Sequence, residues 1–177
     1  MLTIGHIATS FLISQIPVVW GSPLTRPEII LVTLSGYVLD LDLFIAKFNL
    51  KNEASHHLLP THTPLFVLIL SIIGFVGLNN YFSQLALILS SISMFVHLIL
   101  DDIGYWFCKF GWQKESKTPQ IFWFYPFDKR RNNYMKDKIL IDSNFKAIKN
   151  YFLNARVNLI FELTLTILAL LVFLITT

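Results

Sequence analysis

Apolar runs of near-membrane length alternate along this chain with short polar turns and one long mixed loop. Crossing a hydrocarbon core takes about 20 helical residues, and five segments approach that length, at about 3–19, 27–47, 63–78, 82–107 and 157–175. Pro27 suits a first helical turn, where its missing N–H leaves no bond unmade, and Thr63 followed by Pro64 reads as a cap and a first-turn proline. Gly77-Leu78-Asn79-Asn80 is a stop signal after the third segment. The first segment has neither a basic leader nor a small-residue cleavage pattern, so it is expected to be a structural helix and not a secretory signal. Within the loop at 108–156, Asp142 and Ser143 are suited to cap a helix in which Phe145, Ile148, Phe152 and Ala155 recur at steps of three and four. Lys146, Lys149 and Asn150 fall on its other face. The pattern predicts an all-α polytopic membrane protein, a single domain over 1–177 with about five transmembrane helices and one interfacial amphipathic helix.

Composition narrows the class. Of 177 residues, 54% are hydrophobic and 14% charged, with a mean hydropathy of +0.59. Soluble domains carry about 25% charged residues, so this chain is too poor in charge to coat a water-soluble globule, a disordered segment or a nucleic-acid-binding arm. Its one cysteine, Cys108, excludes a disulfide scaffold and a thiolate metal site.

The net charge of +3 matters less than its placement. Five crossings put the N-terminus and the loops at 47–62 and 108–156 on one side. All but Arg26 of the fourteen Lys and Arg then lie on that side, which the positive-inside rule makes cytoplasmic. The expected location is the bacterial inner membrane. The basic loop is expected to meet anionic lipid and not nucleic acid, with Tyr105, Trp106, Trp112, Trp123, Tyr125 and Tyr134 as an aromatic belt at headgroup level.

Polar groups inside spans are costly and tend to mark function. Here they are His6, Asp40, Asp42, His97, Asp101, Asp102 and Glu162, with His56, His57 and His62 just outside the third span. The charge-derived topology, which used none of them, puts them all at the cytoplasmic face. Imidazole and carboxylate without thiolate is a ligand set for zinc, manganese or iron. His97 and Asp101, four apart on a helix, share one face. Asp40 and Asp42, two apart, reach one site only where the helix is broken. Each element alone has a structural reading: Asp40 and Asp42 paired with Lys47 or Lys51, or Glu162 with Arg156. Their gathering on one face favours a metal site.

Thr3-Ile-Gly-His6, Asp40-Leu-Asp42, the segment from His57 through Thr61-His62-Thr63-Pro64, and His97-Leu-Ile-Leu-Asp101 together resemble the membrane-bound metal-dependent hydrolases of the YdjM/YbcI type. Gly104 and Phe124-Tyr125-Pro126-Phe127 also fit. That family is distantly similar to the zinc-dependent phospholipase C and fungal nuclease superfamily. The resemblance implies that His6, one of Asp40 and Asp42, one of His57 and His62, His97 and Asp101 hold one or two divalent ions, with Asp101 able to bridge. Leu39, Leu58 and Thr63 stand where the family usually has Pro, Arg and Ser, leaving Lys129, Arg130 and Arg131 as candidates for gripping a phosphate.

The expected activity is a membrane-embedded hydrolase acting on a phosphoester of a lipid or lipid-linked substrate. The metal, zinc in the first instance, would activate water, and a spare carboxylate, Asp102 or Asp42, would be the general base. The alternatives are a divalent-metal or proton transporter, or a non-catalytic membrane scaffold with a structural metal.

Overall fold

A computed structural model describes residues 3–42, 60–112, 121–127 and 156–176, and all regular elements among them are helical. They are α1 (Thr3–Val19), α2 (Arg26–Ser35), α3 (Pro64–Leu78), α4 (Gln84–Asp101), α5 (Ile103–Lys109) and α6 (Arg156–Thr176), with short 3-10 turns at Val38–Leu41 and Pro60–His62. The expected interfacial helix, His56, His57, Lys129, Arg130 and Arg131 lie outside the described residues.

Local chemistry sets the helix starts. The Thr63 hydroxyl accepts from Phe66 N and the Ser83 hydroxyl from Ala86 N, each satisfying a donor that the first turn leaves open. At α2, Glu28 Oε2 accepts from both the backbone N–H and the hydroxyl of Thr25, at 2.8 Å each. Its other oxygen accepts from Ser83 N at 2.9 Å. One buried carboxylate thus joins the starts of α2 and α4 at the end of the bundle away from the histidines.

α1 packs on α2, α4 and α6, while α2 and α3 each pack on α4. The distribution of polarity is that of a bundle in lipid. Serines 10, 14, 71, 90 and 93 are buried, whereas Leu68, Ile72, Val76, Ile167, Leu171 and Leu174 face outward. The α1–α2 approach is close because Gly36 has no side chain: a Cβ there would lie 1.7 Å from Ser10 Oγ. Small residues permit such backbone proximity where lipid gives helices no hydrophobic reason to associate.

Two of the five expected crossings are matched by helices of clear membrane length. Among the described residues, α4, with 18 residues, and α6, with 21, combine membrane length with apolar composition; α1 and α3 are apolar but have 17 and 15. The segment expected at 27–47 is helical for 10 residues and then tightens into a 3-10 turn after Gly36 and Tyr37. The segment expected at 82–107 breaks at Asp102, whose N–H bonds back to Leu98 and Ile99 carbonyls before α5 departs.

Candidate metal centre

Five side chains meet at one end of the bundle. His6 comes from the start of α1, Asp40 from the turn after α2, His62 from the turn before α3, and His97 with Asp101 from the last turns of α4. All five are buried. The break after α2 is what lets the Asp40-Leu-Asp42 segment serve a single site: Asp40 turns toward the histidines, and Asp42 reaches His62 from behind.

His97 Nε2 lies 3.2 Å from Asp101 Oδ2 and 3.5 Å from Asp40 Oδ1. His62 Nε2 lies 3.7 and 3.9 Å from the same two oxygens. Around a tetrahedral zinc with bonds of about 2.0–2.2 Å, ligand atoms stand roughly 3.3–3.6 Å apart. The four atoms therefore approximate a ligand shell. A direct hydrogen-bonded cluster would be shorter, at about 2.7–3.2 Å.

The rear nitrogens are held as metal-binding imidazoles require. His62 Nδ1 is 2.8 Å from Asp42 Oδ2, which also accepts from the Thr61 hydroxyl. His97 Nδ1 donates to the Gly36 carbonyl at 2.7 Å. The Gly36 contact fixes the His97 tautomer that leaves Nε2 as the acceptor nitrogen, and the Asp42 contact holds the His62 ring so that its Nε2 faces the same oxygens. Gly36 therefore admits Ser10 and, through its carbonyl, aims His97.

His6 lies against the group, its ring stacked on that of His97 with centroids 3.8 Å apart, and its Nε2 3.1 Å from Asp101 Oδ1. His6, Asp40 and His97 form one trio of possible ligands within 4.8 Å of one another, and His62, His97 and Asp101 form another. Since the Nδ1 of His97 is engaged by Gly36, both trios draw on its Nε2 and overlap about one centre. Three carboxylates, Asp40, Asp42 and Asp101, are buried around the imidazoles of His62 and His97. A divalent cation suits such a gathering of carboxylate and imidazole. At His62, just before α3, burial pulls the imidazole pKa down, but hydrogen bonds with Asp40 and Asp42 outweigh it and push the ring up to about 9.

Asp102, expected as a spare carboxylate, is buried and also holds a neighbouring segment. Its Oδ1 accepts from Ile121 N at 3.0 Å and its Oδ2 from the Trp123 indole at 2.7 Å. This ties down the 121–127 segment, and Ile121 packs with Leu39, Val67, Met94 and Leu98 beneath it. Trp123, expected in the aromatic belt, is thus also an anchor. Glu162 is buried on α6. The sequence reading passed over Glu28, although Thr25-Arg26-Pro27-Glu28 carries the spacing of a capping box.

A helical bundle with lipid-type polarity defines a membrane-associated protein, and its buried histidine–aspartate groups could hold a metal ion. The chain matches the family described as YdjM inner membrane protein over residues 1–177, and it belongs to that family. No curated protein and no solved structure matches it.

Proposed function

We propose that this protein is a membrane-embedded, metal-dependent hydrolase that cleaves a phosphoester of a lipid or lipid-linked substrate at the cytoplasmic face of the inner membrane. The observation that carries the reading is the convergence of His62, His97, Asp40 and Asp101 at 3.2–3.9 Å, with the two imidazoles aimed from behind by Asp42 and Gly36. These four residues would hold one ion, zinc in the first instance, with His6 as a further ligand beside Asp101. When bound, such an ion polarises the scissile group and makes water a nucleophile near neutral pH.

The chain's own residues supply the rest. Asp42 orients His62 through Oδ2, while its buried Oδ1 has no hydrogen-bond partner among the described residues. That makes Asp42 a better proton acceptor than Asp102, which is a positioning residue for the 121–127 segment. The end of the bundle that carries the centre is also the end to which the sequence assigns nearly all its positive charge. This supports a cytoplasmic, headgroup-level site and a substrate anchored in the same membrane.

The test is elemental analysis of the full chain purified in mild detergent, followed by turnover of a panel of lipid phosphoesters. About one equivalent of a transition metal is expected, with metal and activity both lost in His97→Ala and Asp101→Ala. Protein that binds no metal after incubation with zinc, manganese or iron would overturn the reading.

A transporter is favoured by a different observation. Ser93 and Ser90 follow His97 down the buried face of α4, and their hydroxyls have no hydrogen-bond partner among the described residues. Ser10 and Ser14 are buried on α1. Metal or proton flux in proteoliposomes, without lipid turnover, would establish that alternative.

A further inference from the structure

The bundle carries an apolar groove that the centre itself does not use. α2 and α3 flank α4, leaving a groove of about 450 Å³ whose floor runs from Leu87 to Met94. Leu34 and Val38 form one wall, with Leu70 and Ile73 opposite. The volume falls within the range of about 300–1,000 Å³ common for ligand pockets. The seven helical steps from Leu87 to Met94 give the floor a length of roughly 10 Å, a large part of one leaflet's ~15 Å of hydrocarbon. Its upper end adjoins the centre: Met94 is one turn from His97, and Val38 lies two residues before Asp40.

Two further observations bear on what fills it. Three of its serines turn their hydroxyls inward onto their own helices: Ser35 donates to Leu31 O, Ser71 to Val67 O and Ser91 to Leu87 O. Only Ser90 remains as a lining hydroxyl without a partner among the described residues. The wall is therefore hydrocarbon in character. In addition, Gly74 and Gly77 of α3 line the groove, and a Cβ at either would meet nothing within 4 Å. Glycine inside a helix costs about 1 kcal/mol relative to alanine and is ordinarily explained in membrane helices by close packing. No described helix approaches here. The evident effect of these glycines is to keep the groove open.

We propose that this groove seats one acyl chain of the lipid substrate, placing the headgroup phosphoester at the His/Asp centre. The proposal rests on the hydrolase reading above and adds how the substrate is held. The test uses the full chain in vesicles of phosphatidylethanolamine and phosphatidylglycerol, doped with phosphatidic acid carrying a photoactivatable diazirine at mid-chain. Peptide mapping is expected to find label several-fold enriched at Leu34, Ile73 and Ser91 over Leu168 and Leu171 on the outward face of α6. Gly74→Leu, which the open space accommodates, should abolish that enrichment while leaving metal content unchanged. Ser91→Phe is a second filling variant, and the wild-type profile decides the question even if neither folds. Equal labelling of groove and α6 face, or enrichment that survives filling, overturns the proposal. Enrichment in a protein that binds no metal would instead overturn the hydrolase reading and leave the groove as a lipid site.

Discussion

Asp42 touches His62 and not the proposed ion, so its substitution isolates the value of aiming an imidazole. The two groups are 2.8 Å apart and buried, and the Thr61 hydroxyl holds the same carboxylate oxygen. Loss of such a supporting contact typically lowers metal affinity about tenfold to a hundredfold, or roughly 1.4–2.7 kcal/mol. The structure grades the series. Both donors converge on one oxygen, so Asp42→Asn can still accept from both and forfeits only the charge; a loss near tenfold is expected. Asp42→Ala releases His62 and Thr61 together, and the loss should approach a hundredfold. Zinc affinity is read by competition with a chromophoric chelator at fixed pH, with circular dichroism confirming unchanged helix content. In a double-mutant cycle, Asp42→Ala should add little in a His62→Ala background, because it acts through that ring. Additive losses, or wild-type affinity in Asp42→Ala, would refute the reasoning.

Three other outcomes are expected. Gly36→Ala places a methyl 1.7 Å from Ser10 Oγ, and should destabilise the fold by about 1–3 kcal/mol in detergent unfolding; Ser10→Gly in the same chain should restore much of it. Asp102→Ala leaves the Ile121 N–H and the Trp123 indole without their acceptor. It should cost about 1–3 kcal/mol, shift the tryptophan emission and speed proteolysis near 121–127 while metal is still bound. With its pKa raised to about 9, His62 is protonated at neutral pH and any metal must displace that proton. Affinity should therefore fall about tenfold per pH unit as pH drops from about 8 to 6, with one proton released per ion in calorimetry.

The centre was legible in the sequence where its geometry is local. His97 and Asp101 share a helix face by their spacing, and His62 lies at the mouth of a helix announced by Thr63-Pro64. The Asp40-Leu-Asp42 pattern itself stated its condition, a broken helix, which the turn after α2 meets. What could not be read is carried by contacts between remote positions. Asp102 reads as a carboxylate of the site, and nothing in its neighbourhood in sequence announces its bonds to Ile121 and Trp123. The Gly36 carbonyl that aims His97 is a backbone atom 61 residues away, and no residue type records it. The clasp of Glu28 on Ser83 spans 55 residues. The helix ends at Ser35 and Asp101 were also hidden, because apolar composition continues past both.

The five residues of the centre arrive on four separate stretches of chain, two entering helices and two leaving them. Helices in a bilayer gain nothing by hiding oily surface from one another, so such a bundle lacks the force that closes a soluble core. An ion grasped by all four stretches would be a rivet through the top of the assembly, as a disulfide is in a small secreted domain. Chelation would then do more than stop a reaction: it would loosen the helices themselves, and thermal stability would report occupancy ion by ion.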